Sequence, residues 1–337
     1  MRRVFITGSA GFIGYHLSRH LLDAGFQVHG YDGMTPYYDV ALKRKRHAML
    51  LQHPAFAATE AMLEDVARLD ETIDRFSPQI VIHLAAQAGV RYSLENPRSY
   101  VESNVVGTFN LLEVARRLAV DHLLIASTSS VYGASEAMPF RETQPTDHPL
   151  SIYAATKKAG EAMAHSYAHL WNLPTTMFRF FTVYGSWGRP DLAYFKFVEA
   201  ILQDRPIDVY NHGRMWRDFT AVEDLAEAVR LLIDIPPRRP PADEGVPQGD
   251  SLSPVAPYRI VNIGNSEKVS LADFIAAIEA ALGRTARRRD LPMQMGDVPV
   301  TWADASLLHR LTGFQPKTPI REGMQRFVDW YRAYHGV

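Results

Sequence analysis

Short apolar runs alternate with stretches of helical apolar spacing through the first half of the chain. Arg3-Val-Phe-Ile-Thr7 is β-branched and uninterrupted, the pattern of a buried strand. From Tyr15 to Ala24 the apolar positions Leu17, Leu21 and Leu22 fall on one helical face, and Gly25 closes the helix. Phe26–Asp32 reads as a second strand, 55–62 as a third, 79–85 as a fourth, 122–127 as a fifth and 175–181 as a sixth. Long helical patterns at 99–118 and 152–170 separate the later ones. Strands that alternate with helices predict an α/β fold, a doubly wound parallel sheet.

After Gly185 the pattern weakens. Helical spacing returns at 194–203, 222–233, 270–282 and 318–334, with a strand-like 258–264. Residues 236–257 are rich in proline and glycine and have no period. The expected division is a nucleotide-binding domain over 1–182 and a smaller α/β substrate domain over 183–337, with some exchange of chain between them.

Composition narrows the classes. With 337 residues and 47% hydrophobic content the chain supports more than one core. A net charge of −1 offers no surface for nucleic acid or an anionic membrane. There is no cysteine, so disulfides and thiolate chemistry are out of reach. The start, Met-Arg-Arg, has the charge of a secretory head, but Gly8, Ser9, Gly11 and Gly14 break the apolar run. A cytoplasmic protein is the expectation.

The chemistry gathers at strand ends. Gly8, Gly11 and Gly14 lie between the first strand and the first helix, where glycines admit a tight turn, a diphosphate and close helix packing. Asp32 ends the second strand, placed to accept from ribose hydroxyls and to repel a 2′-phosphate. The run Lys43-Arg-Lys-Arg46 reads as a solvated helix face. Gly8, Asp32, Asp65, Ala85, Ser127 and Thr182 all stand at carboxyl ends of strands, where such sheets bind ligands. Tyr153 is the one tyrosine with a lysine four residues on, Lys157, one helical turn away. An ammonium there favours the phenolate. The pairs His16/His20 and His165/His169 have no third ligand nearby in sequence, so no metal site is expected.

Thr7-Gly-x-x-Gly-x-x-Gly14, Asp32, Ser127-Thr-Ser-Ser-Val-Tyr-Gly133 and Tyr153-x-x-x-Lys157 occur in that order. Together they resemble the extended short-chain dehydrogenase/reductase family, with its Rossmann-type domain, along essentially the whole chain. Within it the chain is similar to sugar-nucleotide 4-epimerases, above all those acting on UDP-glucuronate. Three stretches carry that likeness: Tyr37-Tyr-Asp-Val40 with Leu42-Lys43, Gln87-Ala-Gly-Val-Arg-Tyr-Ser93 and Gly185-Ser-Trp-Gly-Arg-Pro-Asp-Leu-Ala193.

The resemblance implies NAD as cofactor. Its diphosphate would lie on Gly8, Gly11, Phe12, Ile13 and Gly14, its ribose on Asp32, its adenine on Asp65 and Val66. Leu84, Ala85, Ala86, Asn104 and Ser127 would line the remaining path. It further implies Thr128, Tyr153 and Lys157 as catalytic residues, Tyr153 as the base and Lys157 on the nicotinamide ribose. UDP-glucuronate and UDP-galacturonate would be the substrate pair. Thr128, Ser129, Ser130, Thr182 and Arg189 are candidates for the sugar carboxylate, Arg91 a weaker one, and Arg217 and Asp297 for the nucleotide. Phe219 and Gln294 stand where galactose-type enzymes carry tyrosine and arginine. Serines at 129 and 130, where relatives that eliminate or decarboxylate carry acids, disfavour both chemistries. A UDP-glucose/galactose 4-epimerase is the alternative, and a non-catalytic NAD-sensing protein a more distant one. The family also implies a homodimer through helices 99–118 and 152–170.

Overall fold

The computed structural model describes residues 1–241, 243–294 and 296–337. Strands β1 (Arg3–Thr7), β2 (Gln27–Asp32), β3 (Phe56–Glu60), β4 (Ile80–His83), β5 (His122–Thr128) and β6 (Thr175–Phe180) alternate with helices, as the apolar pattern predicts. Between them lie α1 (Phe12–Asp23), α2 (Val40–Leu50), α3 (Val66–Phe76), α4 (Tyr92–Glu95), α5 (Pro97–Tyr100), α6 (Gly107–Leu118) and α7 (Ile152–Trp171). Then follow β7 (Thr182–Tyr184), α8 (Ala193–Leu202), β8 (Ile207–Tyr210), β9 (Trp216–Arg217), β10 (Phe219–Ala221) and α9 (Val222–Ile233). The chain ends with β11 (Tyr258–Ile263), β12 (Val269–Ser270), α10 (Leu271–Leu282), β13 (Arg288–Leu291), α11 (Ser306–Thr312) and α12 (Ile320–His335).

The main sheet has seven strands in the order β11-β6-β5-β4-β1-β2-β3. All six pairings in it are parallel. β1 lies between β2 and β4, so the winding reverses there, and the crevice beyond the ends of β1 and β4 is where such sheets bind ligands. Both faces are covered. Val4, Ile6, Ile80, Ile82 and Leu124 pack toward α1 and α9, and Phe5, Val81, Leu123 and Ile125 toward α3, α6 and α7. A second core gathers Phe197, Phe219, Phe274 and Phe327 around α8, α10 and α12.

Two segments beyond residue 182 return to the main sheet: β11 extends it beside β6, and α9 packs on α1. The expected helix over 99–118 begins earlier and is not uniform. Asn96 caps the turn at Pro97, and Val101–Val106 is wound as a π-helix before α6 resumes. The extra residue in that turn accompanies a buried Asn104, whose amide grips Gln87 and the Thr156 hydroxyl.

The solvated face expected for 43–46 is corrected. Arg44 and Lys45 are exposed, but Lys43 is buried and Arg46 is 0% accessible. Arg46 donates to the carbonyls of Ala10, Trp187 and Gly188 and to the Tyr38 hydroxyl. Lys43 donates to the carbonyl and hydroxyl of Thr35. Composition alone could not show these partners, because three of the four groups Arg46 meets are backbone carbonyls.

Candidate active site

A cleft of about 770 Å³ opens along the carboxyl ends of the strands. At its floor Gly8 has φ +75°, and a Cβ there would stand 2.7 Å from the Ala85 amide nitrogen. At Gly14 a Cβ would meet the Gly8 carbonyl at 2.0 Å. Only glycine lets β1, α1 and the loop after β4 approach this closely. Gly11 caps α1 without a side chain, so the first amides of that helix are left for an anion. Asp32 accepts from the amides of Ala10 and Met34, which fixes its carboxylate at the end of β2. A glycine cradle, uncapped helix amides and a fixed carboxylate in one cleft fit an NAD diphosphate and ribose.

His83, at the end of β4, is a residue that sequence reasoning missed. The Thr7 hydroxyl accepts from the amides of Leu84 and Ala85, so its proton goes to His83 Nδ1 at 2.7 Å. His83 Nε2–H then donates to Thr108 at 3.0 Å. Burial lowers its pKa to about 3, with the Lys157 charge adding to the effect. This neutral ring ties β1, β4 and α6 under the cofactor loop. A histidine in an otherwise apolar strand was the available signal.

Leu84, Ala85 and Ala86 line the cleft, as do Phe12 and Ile13. Asp65 and Val66 do not; Asp65 caps α3, and Leu63 and Glu64 face the cleft in their place. Asn104 stands behind Gln87. Ser127 borders the cleft but turns its hydroxyl to Glu161 at 2.7 Å, and Glu161 forms a buried two-point pair with Arg179.

Thr128, Tyr153 and Lys157 meet in the same cleft. Tyr153 is presented by the first turn of α7, which Ser151 caps. Lys157, expected to act on Tyr153, is not among the groups that set its phenol. Burial raises the phenol, and the groups that pull it back are the Thr128 hydroxyl and the Arg189 charge. Burial lowers Lys157 to about 8, against the attraction of Glu161 one turn further along. Desolvation outweighs a single through-space charge here.

Ser129, Ser130, Thr182 and Arg189 also line the cleft. Thr128 Oγ1 accepts from the Ser130 amide and lies 3.3 Å from its hydroxyl. Arg189 is held by Asp191, with Nε–Oδ1 at 3.0 Å and Nη2–Oδ2 at 2.5 Å. Burial opposes both charges, but the pair keeps Arg189 well above its ordinary value and Asp191 below the usual carboxylate range. Across the cleft Asp297 lies 3.4 Å from Arg217 and 3.7 Å from Arg91, and Arg91 also covers Tyr210. Phe219 is turned away, stacked on Phe274 in the second core. Among the described residues no three histidines or acids gather as a metal site would need. His16 turns to the Ser186 carbonyl and His20 to Glu227.

A parallel sheet with this cradle and a threonine–tyrosine–lysine set defines an extended short-chain dehydrogenase/reductase, a nicotinamide-dependent class of enzyme. The chain belongs to the NAD dependent epimerase/dehydratase family, whose pattern matches residues 4–244. A probable UDP-glucuronate 4-epimerase of Rhizobium meliloti is 55% identical, over 98% of this chain and 96% of its own. UDP-glucuronate 4-epimerase 4 of Arabidopsis thaliana is 42% identical, over 98% of this chain and 76% of its own. Among solved structures, the UDP-glucuronic acid 4-epimerase of Bacillus cereus, in complex with UDP-glucuronic acid and NAD, superposes with a TM-score of 0.87. It is 28% identical, and the match covers 98% of this chain and 99% of that one.

Proposed function

We propose that the chain is a UDP-glucuronate 4-epimerase, interconverting UDP-glucuronate and UDP-galacturonate. The observation that carries this reading is one cleft holding Thr128, Tyr153 and Lys157 beside Ser129, Ser130, Thr182 and Arg189. The first three suit oxidation of a hydroxyl; the others suit a carboxylate.

Bound NAD supplies a hydride acceptor that is restored each cycle. Tyr153, its buried phenol pulled back down by the Thr128 hydroxyl and the Arg189 charge, takes the proton of the sugar 4-hydroxyl, and Thr128 relays it in either sugar orientation. Lys157 holds the nicotinamide ribose. Turning the 4-keto sugar over within the cleft presents its other face for reduction, which inverts carbon 4. Ser129 and Ser130 cannot protonate or deprotonate carbon, which disfavours elimination. Arg189 and the hydroxyls hold the sugar carboxylate, and Arg217 with Asp297 takes the nucleotide.

The 4-keto sugar is a β-keto acid. It loses carbon dioxide when its carboxylate bond stands perpendicular to the carbonyl plane, so the holders of the carboxylate decide the outcome. We further infer a cytoplasmic homodimer. Exposed Val101, Val106, Phe109 and Ile152 offer apolar surface on the helices the family pairs.

The test is incubation with UDP-glucuronate and UDP-glucose side by side. Epimerisation of the uronate supports the reading. Turnover of UDP-glucose alone returns the chain to the hexose alternative.

A further inference from the structure

The turn that carries Arg189 is fixed along its backbone. Arg46 Nη2 holds the carbonyls of Trp187 at 2.6 Å and Gly188 at 3.1 Å, and His16 holds that of Ser186 at 2.8 Å. The Arg189 side chain is fixed as well. A guanidinium offers a carboxylate two edges, Nε with Nη2 or Nη1 with Nη2. Asp191 takes the first. Among the described residues no hydrogen bond reaches Nη1.

A third group closes the arrangement. The Tyr37 hydroxyl donates to Asp191 Oδ2 at 3.2 Å, and its ring lies under the Arg189 guanidinium at 5.6 Å. Tyr92 packs against that ring at 4.9 Å. Gly89, at φ +104°, makes room for it: a Cβ there would stand 2.8 Å from the Tyr37 oxygen. Three stretches remote in sequence, 37–43, 87–93 and 185–193, thus meet around one guanidinium.

We propose that Asp191 and Tyr37 are positioning residues that present only the Nη1 end of Arg189 to the substrate, so that a uronate carboxylate is held from one side at one angle. The inference rests on the reading of Arg189 as a holder of that carboxylate. A bidentate grip from a fixed end keeps the C5–C6 bond near the carbonyl plane. A guanidinium free to swivel lets that bond rotate to the perpendicular. The bond then breaks, its electron pair enters the C4 carbonyl as an enolate, carbon dioxide leaves, and C5 takes a proton. The products are a UDP-4-keto-pentose and a reduced cofactor that is not reoxidised.

The experiment compares wild type, Asp191→Asn, Tyr37→Phe and Arg189→Ala with UDP-glucuronate, scoring epimer against pentose by NMR. Retained NAD and thermal midpoint establish that each variant is folded. Asp191→Asn is expected to raise the pentose fraction roughly tenfold with KM changed less than about threefold, because the charge remains and only its aim is lost. Tyr37→Phe is expected to do the same by about two- to fivefold, and it stands in for Asp191→Asn should that variant fail to fold. Wild-type partition in both folded variants, or a higher KM with no pentose, overturns the proposal while Arg189→Ala still yields pentose. If Arg189→Ala gives clean epimer, or wild type ignores UDP-glucuronate, the reading of the site falls and this inference falls with it.

Discussion

Arg46 Nη2 lies 3.1 Å from the carbonyl oxygen of Gly188, the residue before Arg189. Its Nη1 lies the same distance from the carbonyl of Ala10, inside the glycine-rich loop. One buried cation therefore joins the glycine-rich loop to the turn that carries Arg189. No carboxylate bonds it among the described residues, so its charge is spread over carbonyl dipoles.

Arg46→Met should leave these carbonyls without donors and cost on the order of 3–5 kcal/mol of stability. Denaturant unfolding measures the loss. NAD should also be retained less well through purification, since the Ala10 loop is no longer held. A variant as stable as wild type and fully loaded with NAD would show the link to be incidental.

Acid should weaken the fold through its buried histidines. Burial, assisted in each case by nearby cationic charge, lowers His83 to about 3, and His16 and His122 to about 4. Each stays neutral in the fold and takes a proton when unfolded below its ordinary value of about 6.5. The unfolded chain then binds more protons, so stability is complete above about pH 6.5 and falls as pH drops toward the folded values. The slope is roughly 1.4 kcal/mol per pH unit for each residue. Buried Glu142 and Asp218, pushed up to about 7 and about 6, pull the other way over part of this window, so the test compares wild type with His83→Gln: the stability lost between pH 7.5 and 5.5 should be smaller in the variant. An equal loss in the two proteins would mean that the His83 ring is already protonated in the fold.

Much of this was legible in the chain itself. The strands, the glycines, Asp32 and the Tyr153–Lys157 pair follow from local period and spacing, which short sequence windows contain. What was hidden depends on contacts between remote segments. Lys43 and Arg46 share a basic run with exposed Arg44 and Lys45, and only the Ala10 and Gly188 carbonyls distinguish them. Strand 258–263 was visible, but its pairing with β6 across so long a gap was not. Asp191 stood within a noted stretch without a role, because its role is a bond to Arg189. The charge expected to act on Tyr153 was the lysine one turn away, yet burial, the Thr128 hydroxyl and Arg189 set the balance.

Tyr153→Phe removes only the titrating oxygen and leaves the ring that packs at 6.1 Å against Tyr100. Folding and NAD retention should persist while turnover falls by 10²-fold or more, the usual cost of losing a general base. Steady-state rates decide. A variant keeping more than about a tenth of the wild-type rate would assign the proton to another group.

Nucleotide released from the denatured protein should be NAD. Asp32 is fixed by two amides at the end of β2, where a 2′-phosphate would meet its charge. Lys43 is tied to Thr35 and cannot answer that charge without giving up both bonds. Mass spectrometry of the supernatant distinguishes the two, and NADP would contradict the role given to Asp32.

Carbon 4 is oxidised and reduced again on its other face with the carboxylate kept in place. Proton NMR of UDP-glucuronate with the wild-type enzyme in D₂O tests it most directly. The UDP-galacturonate formed should keep all six sugar carbons and its original hydrogen at C4, with no deuterium there, because the hydride never exchanges with solvent. Deuterium at C4, accumulation of a pentose, or an unchanged uronate beside epimerised UDP-glucose would contradict it.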